Sequence, residues 1–350
     1  MFPAQALAEA MLQRGWRVEL ATDPRGARYA GGFPDAVARR VTSSATFAQG
    51  SALARLTAPA AIAAGAAASL MAMRRSRPAC VAGFGGYPAL PAMIAAAALG
   101  LPRLIHEQNG RLGRVNRLFA RRVDAVACGT WPAVVPDGTQ AVHTGNPVRQ
   151  EVLARSGAPY QPPDEGRIGL LVIGGSQGAG AFARIMPQAL KALPADLRDR
   201  LRLSQQVRPE DMDRTRAVYA DLGVQADLRG FFQDVPARLA DAALVISRAG
   251  ASSIADITVI GRPAILIPYP HAADDHQTAN AQPLVAAGGA FTIAERELTA
   301  QGLAGHIQAI LSDPEGAAAM AAASLSAGRP DATEALAELV ERLAEQEKAA

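Results

Sequence analysis

Lysine is almost missing from this sequence: it supplies only two of the 35 basic residues, Lys191 and Lys348. The glycine-rich stretch at residues 168–183, IGLLVIGGSQGAGAFA, is therefore no Walker phosphate loop, because Ala181 rather than lysine follows Gly180. Cysteine is as scarce. Cys80 and Cys128 are too few for a disulfide framework or a thiolate metal set, and they fit a reducing compartment. Aromatic residues make up 5% of the chain. They do not interleave with its arginines, and none of the common nucleic-acid motifs is present, so the expectation is no nucleic-acid partner. Long apolar runs are lacking too. The most apolar stretches, 61–73 and 89–102, are short and alanine-rich, and Pro91 breaks the second. Neither reads as a membrane span, no secretory signal reads at the start, and a soluble protein is expected.

Acidic residues are nearly absent from one long segment. Residues 39–122 hold 12 arginines and a single acid, Glu107. Residues 1–150 carry 17 arginines against 7 acids, and residues 151–350 carry 18 basic against 25 acidic groups. The modest net charge of +3 thus hides a basic half and an acidic half. Such a field gathers anionic partners near the first half, and an anionic membrane surface remains the expected one. Segment 53–77 sets Leu53, Leu56, Ile62, Leu70, Met71 and Met73 near Arg55, Arg74, Arg75 and Arg77. It reads equally as an interfacial patch or as a buried helix with a basic last turn.

What is present is alternation. Apolar runs at 17–21, 80–82, 103–105, 123–127 and 141–143 predict strands, with helices over 4–14 and 91–99. After SGAPYQPPDEG at 156–166, a proline- and glycine-rich linker, the alternation restarts. Strands are expected at 168–173, 201–206, 225–229, 244–246 and 264–267, and helices at 179–192 and 252–260. This predicts an α/β protein of two parallel-sheet domains with a cleft between them, residues 1–157 and 158–330. At 168–183 the strand stops at Gly174 and Gly175, and Ser176 is the expected N-cap of the following helix. Such a junction presents backbone N–H groups and the positive helix pole, which suits a phosphate, a tight turn that holds no ligand being the alternative. The dinucleotide pattern G-x-G-x-x-G/A fits only from Gly178 to Ala183, too far past the strand.

Five motifs together carry a family resemblance: Gly83-Phe84-Gly85-Gly86-Tyr87, His106-Glu107-Gln108-Asn109-Gly110, Gly145-Asn146-Pro147-Val148-Arg149, Gly174-Gly175-Ser176-Gln177-Gly178-Ala179 and Arg248-Ala249-Gly250-Ala251-Ser252. With the late segment Pro268 to Asn280 they run in collinear order along essentially the whole chain. The sequence resembles the MurG family, the UDP-N-acetylglucosamine–N-acetylmuramyl-(pentapeptide) pyrophosphoryl-undecaprenol N-acetylglucosaminyltransferases. The resemblance implies a GT-B fold, in which the C-terminal domain binds the sugar nucleotide and the N-terminal domain binds lipid I at the membrane. It implies a peripheral protein on the cytoplasmic face of a bacterial inner membrane, with the C-terminal helix, 331–350, packed back on the first domain.

On this resemblance Gly174, Gly175, Gly178 and Ser176 meet the diphosphate of UDP-N-acetylglucosamine, and Arg149 pairs with a phosphate oxygen. Phe232 stands at the uracil position, where a backbone edge reads the base. Ala251, Ser252 and Ser253 open the next phosphate-side helix, and Asp256, where the family usually has Glu, accepts from the ribose. Gln277 and Asn280 suit sugar hydroxyls, Asn109 lines the cleft, and Gly85, Gly86 and Tyr87 belong to the acceptor side. Inverting transfer to the C4 hydroxyl of N-acetylmuramic acid needs a general base. Glu107, the only acid in the basic stretch, is the expected base, while His106 is expected to pack and His143 and His306 to be structural. No cofactor is expected: Asp274, Asp275 and His276 lack the separated acids of a nucleotide-metal site. Family members begin with a strand and a Gly-Gly-Thr-Gly-Gly-His loop ahead of a segment like Met1-Phe2-Pro3-Ala4. The chain as given is therefore expected to be poorly stable and nearly inactive. A UDP-N-acetylglucosamine epimerase of the same fold and a non-catalytic sugar-nucleotide-binding relic are the alternative readings.

Overall fold

The computed structural model describes residues 1–42, 52–164 and 166–349, and the side chains of 52–57, 175–179 and 347–349 lie outside that description. The chain forms two compact units, Met1–Arg149 with Asp331–Ala350, and Gln150–Pro330.

In the second unit β7 (Ile168–Ile173), β8 (Leu201–Gln206), β9 (Gln225–Arg229), β10 (Leu244–Ser247), β11 (Ala264–Leu266) and β12 (Ala290–Thr292) form one sheet. Their order is β12-β11-β10-β7-β8-β9, and every pairing is parallel. β10 reads LVIS and is buried throughout, as a strand covered by helices on both faces must be. The helix Gly175–Ala192 buries Phe182, Ala183, Met186, Ala189 and Leu190, spaced for one helical face. The helix Ala300–Leu311 does the same with Leu303, Ile307 and Ile310, and these side chains share one core with β7, β8 and β10.

The first unit is less continuous. β3 (Val81–Gly83), β4 (Arg103–Glu107), β5 (Ala125–Cys128) and β6 (Ala141–His143) make a parallel sheet in chain order. β1 (Glu19–Thr22) and β2 (Ala38–Val41) pair separately. Among the described residues β1 bonds only to β2, and β3 only to β4. The C-terminal helix Ala332–Ala349 lays Leu336, Ala337, Leu339, Val340 and Leu343 on Leu7, Ala10 and Met11 of the helix Phe2–Gln13.

Two expectations need correction. The unit boundary falls after Arg149 and not after Gly157. Residues 150–160 are fastened to unit 2: Gly157 N–H donates to the Val259 carbonyl at 3.0 Å, and Tyr160 Oη donates to Ala243 O at 2.8 Å. Arg262, 1% exposed, takes the Ala158 and Pro159 carbonyls as well. Proline and glycine there shape an anchored turn, not a loose tether. Segment 53–77 is a helix, Ala52–Ser76, whose small residues Ala58, Gly65 and Ser69 are buried while Met71 is 58% exposed. It packs against the helix Leu90–Ala98, so it is neither wholly buried nor wholly interfacial. Leu53, Arg55 and Leu56 lie outside the described side chains.

Candidate active site

In unit 2 the chain runs from β7 outward to β8 and β9, then returns across to β10 and on to β11 and β12. β7 and β10 are therefore the neighbours at which the winding direction reverses, where open parallel sheets bind ligands. Both strands end together: Ser247 is paired with Ile173, and Arg248 N–H donates to Ile173 O at 3.3 Å. Each then turns directly into a helix. Gly174 is the N-cap of Gly175–Ala192, and Gly250 is the N-cap of Ala251–Ile260. Neither N-cap has a side chain bonded to the first-turn amides. Two helix starts whose N-caps lend their first-turn amides no side chain, both at positive helix poles, thus lie side by side. That arrangement suits a diphosphate.

The helix starts earlier than expected. Gly175 opens it, so Ser176 and Gly178 lie within the first turn and Ser176 is not the N-cap. In the second helix Ala251 is buried, Ser252 exposed, and Ser253 and Asp256 half-buried. Arg248 is buried beneath this turn, its guanidinium 5.1 Å from the Phe182 ring centre and 5.5 Å from that of Tyr269. Its Nη1 donates to the Ile267 carbonyl and lies 2.6 Å from Glu295 Oε2, an ion pair off the hydrogen-bonding angle. Asn280, 1% exposed, donates to the Ala249 carbonyl at 3.1 Å. It braces the 248–250 turn, which corrects its reading as a ligand for sugar hydroxyls. Gln277 Oε1 accepts from Tyr269 N–H at 2.9 Å, which settles the orientation of that amide. Ahead of it Asp274 and Asp275 hold left-handed φ angles of 53° and 51°, local strain of the kind that collects at functional turns.

Phe232 is 2% exposed, with the Arg238 guanidinium 4.1 Å from its ring centre. Its ring anchors the turn after β9, so only its backbone can face a base, while its neighbour Phe231 is 70% exposed.

The first unit gathers its expected residues at the ends of β3 and β4. Gly85 and Gly86 take φ of 73° and 72°, and a side chain on Gly85 would come within 3.1 Å of Asn116 Nδ2. Asn116 donates to Glu107 Oε2 at 2.8 Å and to the His106 carbonyl at 3.2 Å. The Gly83–Gly86 turn and the 106–116 segment are thereby brought into contact, with Tyr87 half-buried just beyond. Glu107 is 4% exposed, and its carboxylate also accepts from Gly113 N at 2.8 Å and from Asn109 N and Nδ2 at 3.1 and 3.0 Å. Four donors fill the lone-pair sites of a carboxylate. For Glu107 to act as the expected base, one of these four bonds would have to give way to the substrate hydroxyl. Arg149 places its guanidinium 5.8 Å from the Phe2 ring centre within unit 1.

His106 packs as expected, 1% exposed, its ring 5.6 Å from Phe84. Burial pushes its imidazole down to about 4, against weaker opposing pulls from the Gly145 carbonyl and Glu107. The neutral ring lies with Nε2 3.3 Å from Gly145 O, so Nε2 carries the proton. Burial likewise pushes the Cys128 thiol up to about 11. His143 stacks under the half-exposed Trp131 at 5.6 Å, and His306 meets Phe291 at 5.3 Å. Sequence reasoning missed Asn116 and the supporting role of Arg248. A signal for Asn116 existed: it is a polar residue between Val115 and Phe119 on the buried face of the helix Arg114–Phe119.

Among the described residues no group of three or more His, Cys, Asp or Glu could hold a metal ion, and no helix is long and apolar enough to cross a membrane.

The profile of the glycosyltransferase family 28 N-terminal domain matches residues 1–128, and that of its C-terminal domain residues 169–341. A UDP-N-acetylglucosamine–N-acetylmuramyl-(pentapeptide) pyrophosphoryl-undecaprenol N-acetylglucosamine transferase of Chelativorans sp. (strain BNC1) is 48% identical over 99% of this chain and 93% of its own length. One of the same name from Rhodospirillum centenum is 47% identical over 97% of this chain and 90% of its own. The crystal structure of Acinetobacter baumannii MurG superposes with a TM-score of 0.80 at 28% identity, covering 97% of this chain and 95% of that one. The glycosyltransferase of kitacinnamycin, 16% identical with a TM-score of 0.68, covers 97% of this chain and 95% of its own and shares the fold alone. With both GT-B half-domains matched and close to half its residues shared with these transferases, the chain belongs to glycosyltransferase family 28, in its MurG branch.

Proposed function

We propose that this chain transfers N-acetylglucosamine from UDP-N-acetylglucosamine to the C4 hydroxyl of N-acetylmuramic acid on undecaprenyl-pyrophosphoryl-linked lipid I, giving lipid II. The acceptor oxygen attacks C1 of the donor sugar as the bond from C1 to the diphosphate oxygen breaks. The hydroxyl proton passes to a general base, and UDP departs with the new negative charge, leaving the sugar inverted. The observation that carries this reading is the pair of glycine-capped helix starts at the ends of β7 and β10. They aim fixed dipoles at the place where the leaving group gains charge. In this reading Ser176, Ser252 and Ser253 add hydroxyl donors, Asp256 accepts from the ribose, Gln277 holds the sugar, the Phe232 backbone reads uracil, and Arg149 pairs with a phosphate oxygen. The proposal includes no metal, since helix poles and arginine meet the diphosphate, and EDTA should leave turnover unchanged.

The acceptor reading places the protein peripherally on the cytoplasmic face of an anionic membrane. Unit 1 exposes Met71, Ile94 and Leu118, with Arg74, Arg75, Arg77, Arg114, Arg117, Arg121 and Arg122 also at its surface. Vesicle binding should therefore grow with anionic lipid and weaken with salt. The direct test of function is incubation with labelled UDP-N-acetylglucosamine and lipid I. Label in lipid II is the expected result. Release of free N-acetylmannosamine would identify an epimerase instead, and UDP-sugar binding without turnover a relic.

A further inference from the structure

Trp131 is a large side chain of unit 1 that the transfer reading has not yet used. It stands in the turn that leaves β5, just past Cys128, and is 43% exposed. One face of its ring lies on the His143 imidazole, the centres 5.6 Å apart and the planes 18° from parallel. His143 ends β6 in register with Cys128, so the ring is backed by the sheet itself. The turn is fixed as well. Gly129 N–H donates to the Glu107 carbonyl at 2.7 Å, Thr130 Oγ1 to the Gln108 carbonyl at 2.8 Å, and Val134 N–H to the Gly110 carbonyl at 2.9 Å. Asn146 Nδ2 also meets the Gln108 carbonyl, at 2.9 Å. Residues 129–134 are thus laced to 107–110 at the C-terminal ends of β4 and β5, the end at which open parallel sheets bind ligands. Gln108 is half-buried and gives its carbonyl to this lacing, while its side-chain amide bonds to no described residue.

An indole held flat by a second ring, with a carboxamide on the neighbouring segment, has the chemistry of a sugar subsite. A pyranose presents C–H groups on its faces, made electropositive by the oxygens around them, and an indole face is electronegative. Contact also removes apolar surface of both from water. The stack on His143 restricts the indole before any ligand arrives, so little ordering is left to oppose binding. An amide offers both a donor and an acceptor to hydroxyl and acetamido groups. We propose that Trp131 is a stacking platform for the N-acetylmuramic acid ring of the acceptor, with the Gln108 amide meeting polar groups at the edge of that ring. This rests on the transferase reading above. Trp131 makes and breaks no bond in it; it sets the affinity for the acceptor. A sugar suits the place better than lipid does. Met71, Ile94 and Leu118, the exposed apolar residues of the membrane reading, stand on helices, whereas Trp131 stands at a strand end beside the polar Thr130 and the Gln108 segment.

The test uses a lipid I analogue with a shortened prenyl chain, soluble without vesicles, so that membrane binding has no part in the readout. The chain has two tryptophans, Trp16 and Trp131, and Trp16→Phe leaves Trp131 the sole emitter. Its fluorescence should shift and saturate as the analogue is added, and equally with an analogue lacking the peptide. In transfer assays Trp131→Ala should raise the acceptor KM about tenfold, with kcat and the KM for UDP-N-acetylglucosamine held within about twofold. Trp131→Tyr should keep the acceptor KM within about threefold, whereas Trp131→Leu, apolar but not planar, should resemble Trp131→Ala. Gln108→Ala should raise the same KM about threefold or more. Emission that answers anionic vesicles but not the soluble analogue, a response lost with the peptide, an unchanged acceptor KM in Trp131→Ala, or a Trp131→Leu protein as good as Trp131→Tyr would each overturn the proposal. If Trp16→Phe does not fold, the KM series in the otherwise unaltered chain decides. If the unaltered chain transfers nothing, the transferase reading has failed, and the fluorescence titration alone decides whether Trp131 meets the acceptor sugar.

Discussion

The two units present their functional ends in different materials. In unit 2 the ends of β7 and β10 are backbone: glycine N-caps and helix poles, with buried side chains such as Arg248 and Asn280 bracing the turns from behind. In unit 1 the ends of β3 and β4 are knitted from side chains, with Glu107, Asn109, Asn116 and His106 bonded to one another and to nearby carbonyls. The supporting bodies differ in the same sense. Among the described residues unit 2 has one six-stranded sheet, whereas unit 1 has a four-stranded and a two-stranded sheet with their apolar residues in separate clusters. A site made of backbone tolerates side-chain change and fails when an amide is blocked. A site made of side chains fails when one partner is swapped.

The largest expected effect tests the fastening of unit 2. Arg262 is a buried cation that, among the described residues, bonds to no acid; its guanidinium is met by carbonyls of Leu239 and Ala240 at one helix end, Ile260 and Gly261 at another, and Ala158 and Pro159 of the linker. Burial holds its pKa below the usual arginine value, while the negative helix ends favour the charge. Arg262→Ala leaves those carbonyls unpaired and should cost about 3–4 kcal/mol, read by denaturant unfolding. A cost near that of a surface substitution would show that the linker is not anchored there.

Next in size is a pH effect confined to unit 1. The folded pKa of His106, about 4, lies below its ordinary 6.5, so the unfolded chain binds the extra proton between those values. Its contribution is complete above about pH 6.5 and is lost as pH falls towards 4. From pH 7 to pH 5 the protein should lose about 2 kcal/mol more than a His106→Gln variant, measured by urea midpoints. Identical pH slopes would mean that the ring is solvated.

The smallest effect is expected where the C-terminal helix meets the N-terminal one. Arg14 pairs with Glu334 and Glu341 at a partly exposed edge, while the contact itself is apolar. Arg14→Ala should cost about 1 kcal/mol or less. A cost as large as that of Arg262→Ala would erase the distinction between buried and rim fastening.

This division of materials explains what could be read in advance. The strands of unit 2 are runs such as IGLLVI and LVIS, whose composition alone marks them as buried, and the glycines that end β7 announce its turn into a helix. The following helix starts at Gly175, four residues before the expected 179, because tertiary packing of Phe182 and Met186 overrides the poor helix propensity of Gly-Ser-Gln-Gly. The role of Glu107 could not be read from spacing. Its isolation among arginines suggested a base, and only the folded segment shows that Gly113 and Asn116 return to the same carboxylate. The linker misled for a related reason: its prolines signal a break in regular structure, but what holds it is Arg262, about a hundred residues away in the chain.

The central claim is that the donor diphosphate sits on helix starts left open by glycine. Gly250 lies at φ −69° and ψ 138°, an extended conformation any residue adopts, and a Cβ there would meet only Ser253 Oγ at 3.7 Å. Gly250→Asp should therefore fold and cap its own helix, raising stability by about 0.5 kcal/mol. The same carboxylate would occupy the amides and repel the phosphates, so UDP affinity by calorimetry should fall at least about tenfold, and less in the neutral Gly250→Asn. A folded Gly250→Asp protein that binds UDP as tightly as the unaltered chain would contradict the account.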